Sequence, residues 1–502
     1  MPGGAHHVGA RRPAQGDPAT GPHKGATLMG ETERRAYGDV LVLGLGKTGQ
    51  AVAEYLLSDA CAGRVGSVTV YGGAASKPGE AAEALERLGA RVVLGTEDVE
   101  GSYDTCVASP GISEFSDFYK AAAAASRAIF GEPELAWRES PERWVGITGT
   151  NGKTTTTTLT RDLLRAGGLA AEAVGNIGRM AIGEVAQRGV GEWLVAELSS
   201  FQLAGSRELH PRVAVLLNVT PDHLAWHKTM ENYAAAKEKI FANLDAGDLA
   251  VVSDGDAYSR AIAGRLEARG LRVCRLLAPG EEPSADAACA AWETAAGRLV
   301  VRLDGRDTDL LAKDELAIKG EHNVENALAA SAAALACGVD AERVREGLRA
   351  FRPLEHRIEP CGEAAGVRFV DDSKATNTDA VSKALTAFEP GSVVILLGGH
   401  DKGTDLEAMA ADVARDARVA VCFGEAGPRI AAALRAQAGS LEVVEAAHLE
   451  QALDAGIQAA RPGDVVLLSP ACSSFDEFSG FEERGEVFKR LVADRIAKAG
   501  RS

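Results

Sequence analysis

Tryptophan, tyrosine and phenylalanine together supply only 5% of this 502-residue sequence, leaving little aromatic surface on which nucleic-acid bases could stack. Positive charge is also short: 54 Lys and Arg stand against 71 Asp and Glu, a formal net charge of −17. Neutralising a phosphate backbone needs clustered Lys and Arg, so no nucleic-acid partner is expected. No apolar run approaches the ~18 residues of a membrane span, and no membrane partner is expected either. The eight cysteines (Cys61, Cys106, Cys274, Cys289, Cys337, Cys361, Cys422, Cys472) form no CxxC pair. Scattered in this way they read as small buried side chains in a reducing cytosol, so a cytoplasmic location is expected. Residues 1–36 lack an apolar h-region and are rich in Gly, Pro, Ala and Arg. They read as a disordered tail and not as a signal peptide. The paired His6 and His7 stand too isolated for a metal site.

What remains is ordinary globular material, 46% hydrophobic and 25% charged. The chain is too long for one core, which predicts two to four domains. Three strand–helix blocks follow the tail. The first opens with DVLVLGLGKTGQAVAEYLLSD, an apolar strand, a glycine turn and helical periodicity, and continues through GSVTVYG, ARVVLG and YDTCVASPGIS. The second opens with RWVGITGTNGKTTTTTLTRDLLRAGG and carries strands at EWLVAEL, VAVLLNVT and DLAVVSD. Residues 280–315 alternate short strands with turns and suggest a small antiparallel insert, after which EHNVENALAASAAALACG reads as helix. The third block, from RPLEHRIE, carries strands at VRFVDDS, SVVILLGG, RVAVCFG and DVVLLSPA. Alternating strands and helices predict an α/β protein with parallel, doubly wound sheets. Ligands gather at the C-terminal ends of strands in such sheets, and the polar clusters below sit at such ends.

The stretch ITGTNGKT departs from the strict phosphate-loop pattern, since Ile147 takes the first glycine position. The physics survives: Gly149 and Gly152 let backbone N–H groups curl toward phosphate, Lys153 supplies charge, and Thr154 can ligate Mg²⁺. Thr155 is placed to assist with phosphate. The threonine run itself is poor helix material. GLGKTG, with Gly44, Gly46 and Gly49, fits a dinucleotide turn, but the second strand ends in Tyr71 and two glycines where a nicotinamide site wants an acid. That counts against a dehydrogenase and leaves an unspecified phosphate-bearing ligand.

Strand-terminal Glu197, in VAELSSFQL, is a natural Mg²⁺ ligand, because hard cations want oxygen. LLNVTPDHLAWH supplies Asp222 and His223, and Lys237 follows on YAAAKEKIF, where composition alone reads a solvated lysine. The third block contributes His356 and Arg357, then Asp372, Ser373, Lys374, Thr376 and Asn377, then Lys402, Ser473 and Ser474. Loop cations at His356, Arg357, Lys374 and Lys402 in an acidic protein suggest an anionic substrate or a developing negative charge. Spacing and charge alone therefore reach an ATP-dependent enzyme with an anionic acceptor. A small-molecule kinase and a nucleotide-regulated switch stay open at this level.

Taken together, G-T-N-G-K-T-T, E-L-S-S-F-Q-L, L-N-V-T-x-D-H, Y-x-x-A-K, H-N-x-x-N-A-L-A-A, E-H-R-x-E, D-D-S-K-A-T-N and L-S-P-A-C-S-S-F-D occur in an order that resembles the Mur ligases, over roughly residues 38–495. The last two motifs look like the branch of that family that adds D-glutamate. The resemblance implies a UDP-substrate-binding Rossmann-like domain at 37–131, a central ATP-binding domain at 132–352 and an amino-acid-binding Rossmann-like domain at 353–502. It implies an amide ligase in peptidoglycan precursor synthesis that uses ATP and two Mg²⁺ ions to join D-glutamate to UDP-N-acetylmuramoyl-L-alanine, as a monomer.

Residue by residue, the resemblance assigns Gly149, Thr150, Asn151, Gly152, Lys153, Thr154, Thr155, Asn323, Asn326, Arg357 and Asp372 to ATP. It assigns Gly46, Lys47, Thr48, Asn176, Ser199 and Gln202 to the UDP substrate, and His223, Lys374, Thr376, Lys402, Ser474 and Phe481 to D-glutamate. Thr154, Glu197, His223 and Lys237 match the metal set, with Lys237 expected to be carbamylated into a carboxylate-like ligand. Lys153, Glu197, His223, Lys237 and Lys374 are the expected catalytic group. Two positions depart from the family pattern: no acid stands near Tyr71 on the uracil side, and Ala225 replaces the acid of D-H-L-D.

Overall fold

A computed structural model describes residues 35–499 except 438 and 440. The expected tail therefore lies outside the described residues, apart from Arg35 and Ala36. Three sheets follow one another along the chain. The first contains β1 (Gly38–Leu43), β2 (Val65–Tyr71), β3 (Arg91–Val93), β4 (Tyr103–Ala108) and β5 (Ser126–Gly131), in the order β3-β2-β1-β4-β5. All of its pairings are parallel.

The central sheet contains β6 (Trp144–Thr148), β7 (Ala171–Gly175), β8 (Trp193–Glu197), β9 (Val213–Leu216), β10 (Leu249–Ser253), β11 (Arg272–Leu276), β12 (Ala290–Glu293), β13 (Arg298–Leu303) and β14 (Arg306–Ala312). Its order is β14-β13-β12-β11-β10-β9-β6-β8-β7. The antiparallel pairs expected around 280–315 are β12–β13 and β13–β14, and they extend the parallel sheet at its β11 edge. The third sheet contains β15 (Glu359–Ala364), β16 (Val367–Asp371), β17 (Val393–Gly398), β18 (Ala417–Phe423), β19 (Glu442–Glu445) and β20 (Val465–Ala471), ordered β15-β16-β20-β17-β18-β19. It is parallel except for the β15–β16 edge pair.

The central strands read as unbroken apolar runs because both faces are covered; β6, β8 and β9 are buried at every position. The helix Lys153–Ala166 covers one face through Leu159, Leu163 and Leu164, alongside Glu321–Ala336. Small side chains at Ala327, Ala330, Ala333 and Ala334 let that second helix lie close to the sheet.

The helix Glu132–Glu139 joins the first sheet to the second. Its Glu139 carboxylate accepts hydrogen bonds from Tyr37, Tyr55 and Arg64, at 2.6, 2.7 and 2.7 Å. Buried Glu134 accepts the backbone N–H groups of Arg207 and Glu208 and pairs with Arg138. A buried carboxylate with this many donors fixes the approach of its helix, because losing any donor leaves charge unpaired.

Candidate functional site

The chain turns out of β6 through Thr148 into the glycine loop. Gly152 holds φ at 83°, and a Cβ there would stand 2.4 Å from Asn326 Oδ1, so only glycine fits. Lys153 opens the following helix and donates through Nζ to the carbonyls of Gly149 and Thr150, at 3.0 and 2.8 Å. Burial, against the upward pull of Glu197, pushes its amine below the usual range, and Arg357 adds to the fall. All five threonines lie inside the helix, with Thr155, Thr156 and Thr157 buried. Thr156 donates to Asn326 Oδ1 at 3.1 Å, and Thr154 accepts from Arg357 Nη2 at 3.1 Å. Tertiary burial here overrides the weak helix propensity of β-branched residues.

Glu197 ends β8 with 2% exposure. Its Oε1 accepts Asn176 Nδ2 at 2.9 Å, while Oε2 is buried without a hydrogen-bond partner among the described residues. A buried carboxylate oxygen in that state is costly, and a hard cation is the partner that suits it. His223 sits in the left-handed region, φ 54° and ψ 28°, and caps a short helix. Burial lowers its pKa despite Asp222 beside it, and the nearby lysines lower it further, so the ring is neutral and keeps a free lone pair. These residues fit Mg²⁺.

Lys237 is 1% exposed and points at the back of the phosphate loop, where Nζ donates to Gly149 O at 2.7 Å and lies 4.5 Å from the Tyr233 ring centre. Burial drives its amine well below the usual lysine range, and Lys153 pushes the same way.

The third block supplies the opposite wall. Arg357 follows His356, whose φ of 59° turns the chain and whose Nδ1 lies 2.6 Å from Asp371 Oδ2. Among the described residues, the Arg357 side chain is held by Thr154 alone, through Nη2, and its Nε is buried without a partner; burial lowers its pKa. Burial raises Asp372 to about 7, although Ser469 donates to its Oδ2 at 2.8 Å. Lys374 rests 4.8 Å from the Phe481 ring centre, and burial, helped by Arg357, lowers it to about 8. Lys402 donates to the Thr376 carbonyl at 3.1 Å.

One cleft of about 600 Å³ brings together Thr150, Asn151, Gly152, Lys153, Thr154, Thr155, Asn176, Glu197, His223, Asn323, Asn326, Arg357, Asp372, Lys374, Thr376, Lys402 and Phe481. An apolar pocket of about 380 Å³ adjoins it, lined by Ile318, Pro353, Ile358, Phe369 and Phe388 and sharing Asn323 and Arg357.

Other expected residues stand apart from the cleft wall. Gly149 belongs to the loop but turns away from the cleft, Lys237 lies behind the loop, and Ser474 is buried with an Oγ unpartnered among the described residues. Ser199 and Gln202 bond each other in a capping box that starts the helix Ser200–Ala204. Gly46, Lys47 and Thr48 form the start of the helix Lys47–Leu57, which has no side-chain cap.

Residues 147–334 match the Mur ligase middle domain, and residues 356–472 match the Mur ligase glutamate ligase domain. A UDP-N-acetylmuramoylalanine–D-glutamate ligase from Pelotomaculum thermopropionicum is 39% identical over 456 residues, 90% of this chain and 97% of that protein. The chain belongs to the Mur ligases. A ligase of the same description from Rubrobacter xylanophilus is 40% identical over 466 residues, covering 92% of this chain and 99% of its own. In fold, this Mur ligase resembles a pseudomurein peptide ligase type C from Methanothermus fervidus, with a TM-score of 0.56 at 16% identity over 91% of this chain and 99% of that one.

Some residues that build this Mur ligase site carry no local signal. Arg484 is fully buried in the helix Phe481–Ala499 and donates to Ser373 Oγ, Ser373 O and Cys472 O, at 2.9, 2.8 and 3.0 Å. It ties the D-D-S-K loop to the C-S-S loop, although in sequence it is one charge in a charged helix. Asp222, by contrast, is legible in L-N-V-T-x-D-H, and it lines the cleft beside His223, 3.5 Å from its Nε2.

Proposed function

We propose that this Mur ligase joins the amine of D-glutamate to the carboxylate of UDP-N-acetylmuramoyl-L-alanine, at the expense of ATP, in cytoplasmic peptidoglycan precursor synthesis. One observation carries the reading. A phosphate loop and a Glu197 carboxylate with one oxygen, Oε2, unpartnered among the described residues form one wall of a single cleft and face Arg357, Lys374 and Lys402 on the other. A kinase has no use for that second cationic wall.

The three sheets support division at 131/132 and 352/353, and we take the chain to act as a monomer. A carboxylate is a poor electrophile, so its oxygen first takes the γ-phosphoryl group of ATP and ADP departs. Lys153 and Arg357 spread the charge of the transferring group. The D-glutamate amine then attacks the acyl carbon, phosphate leaves with its oxygen, and the amine gives up a proton. Lys374 and Lys402, with Thr376, hold the glutamate carboxylates, and Phe481 fixes the Lys374 ammonium by its ring face. The neighbouring apolar pocket suits the adenine ring, with Asn323 on its wall.

Thr154, Glu197 and His223 would hold Mg²⁺, which supplies charge neutralisation and oxygen alignment to phosphoryl transfer. Burial, which holds the Lys237 amine well below the usual lysine range, favours the unprotonated form that can add CO2, and the carbamate would be an oxygen ligand for the second ion. The UDP end falls to the glycine turn and Gly46, Lys47 and Thr48, since Tyr71 is buried and its hydroxyl accepts Glu100 N–H at 3.0 Å. Turnover with D-glutamate, L-glutamate, L-alanine and L-lysine tests the acceptor assignment. Ligation with D-glutamate and not with the others is expected, and equal or better turnover with another amino acid refutes it.

A further inference from the structure

Asn377, the last residue of D-D-S-K-A-T-N, and Asp379 two positions on have no task in the chemistry above, yet both reach across to the phosphate loop. Asn151 Nδ2 donates to Asp379 Oδ2, and Asn151 Oδ1 accepts from Asn377 Nδ2 at 3.2 Å. Thr220, beyond β9, donates to the same Asp379 oxygen at 3.1 Å, and Lys383 one turn further along pairs with it at 3.1 Å.

Both ends of this contact are anchored. On the loop side, Asn151 N–H donates to Asn218 Oδ1 at 2.8 Å and Asn151 O accepts Asn218 Nδ2 at 3.2 Å. On the other side, Asn377 Oδ1 caps the helix Thr378–Leu385 by accepting Ala380 N–H at 2.8 Å. Val381, Ala384 and Leu385 bury that helix in the core of the third sheet. The two amide atoms of one phosphate-loop side chain are thus engaged by the block that carries Lys374, Thr376 and Lys402.

We propose that Asp379 and Asn377 are positioning residues, a clasp that sets the amino-acid wall at its working distance from the phosphate loop. The proposal rests on the ligase reading above. The clasp touches neither the phosphoryl group nor the amine and acts through Asn151. Breaking it leaves acyl-phosphate formation in place and slows attack by the amine. Water then takes the amine's part: its oxygen adds to the acyl carbon, phosphate leaves, and the original carboxylate returns with ATP spent and no amide formed.

The test is Asp379→Ala, read as amide formed per phosphate released, with KM for D-glutamate and for ATP. The expected result is a fall in that ratio and a rise of about tenfold in KM for D-glutamate, equivalent to about 1.4 kcal/mol, while KM for ATP stays within about twofold. Asp379→Asn keeps an acceptor for Asn151 and restores both readings, which a loss of the Lys383 ion pair or of general stability would not. Should Asp379→Ala fail to fold, Thr220→Val removes one donor and shifts both readings in the same direction by less.

A wild-type ratio and KM in Asp379→Ala, or an Asp379→Asn variant as impaired as alanine, overturns the clasp. Amide hydrogen exchange at residues 150–152, measured without substrates, separates the two readings. It quickens in Asp379→Ala if the clasp is real, whatever the substrate proves to be, and unchanged exchange overturns it. Absence of D-glutamate-dependent turnover in the unmodified protein counts against the ligase reading alone.

Discussion

Replacing Lys237 separates its chemistry from its packing. The side chain is 1% exposed, its Nζ makes one hydrogen bond among the described residues, to Gly149 O at 2.7 Å, and it lies over Tyr233. Lys237→Met keeps most of the stem and removes that bond, worth roughly 1 kcal/mol. Gly149 O still accepts Lys153, so no carbonyl is orphaned. Removing a desolvated amine returns a similar amount, and the net stability change should stay within about 1 kcal/mol. Lys237→Ala also empties the space of the stem and should cost about 2–4 kcal/mol, as large-to-small core changes do.

If the carbamate of Lys237 is a metal ligand, both variants lose turnover by at least about 10²-fold. Acetate, which brings the missing carboxylate, should then rescue alanine but not methionine, whose stem fills the space. Removing dissolved CO2 should lower the activity of the unmodified protein reversibly. The assays are thermal unfolding for each variant and ATP turnover with and without acetate. A fully active alanine variant, or rescue of both variants alike, refutes the carbamate.

Three further perturbations address other groups. Glu197→Gln removes a buried charge whose Oε2 has no protein partner, so the fold should hold or gain slightly while the Mg²⁺-dependent rise in melting temperature disappears; a retained rise contradicts the metal assignment. Arg357→Met removes a guanidinium whose one side-chain hydrogen bond among the described residues is to Thr154 and should weaken ATP binding by about 2–3 kcal/mol, the scale of a charge-assisted contact, in calorimetric titration. Lys374 is lowered to about 8, so its charge is complete well below that pH and lost as pH rises through it. KM for D-glutamate should therefore be flat near neutrality and climb above about pH 8, toward tenfold per unit. Lys374→Arg stays charged across that range, and a KM that still climbs in this variant removes Lys374 from the explanation.

The main turns were legible because their signals are local. A strand, two or three glycines and helical periodicity announce β1 and β6 with their loops, and the long apolar runs announce β17, β18 and β20. Short elements lack that contrast: β19 is a four-residue edge with Glu442 and Glu445 exposed, and β15 carries Pro360 and Gly362 at a register shift. Ser199 and Gln202 carried a visible capping pattern, Ser-x-x-Gln, that explains their mutual bonding. Lys237 looked like a solvated lysine because burial depends on what packs over a helix, here the phosphate loop and Tyr233. Arg484 and Asp379 stayed silent because their partners lie 111 and 228 residues away in sequence.

The central claim is that ATP turnover ends in an amide bond to D-glutamate. Its most direct test is phosphate release from ATP with Mg²⁺ and UDP-N-acetylmuramoyl-L-alanine, measured with and without D-glutamate. The account predicts sustained release only when D-glutamate is present, matched by amide product. Release that is indifferent to D-glutamate contradicts it and returns the cleft to a kinase or a nucleotide switch.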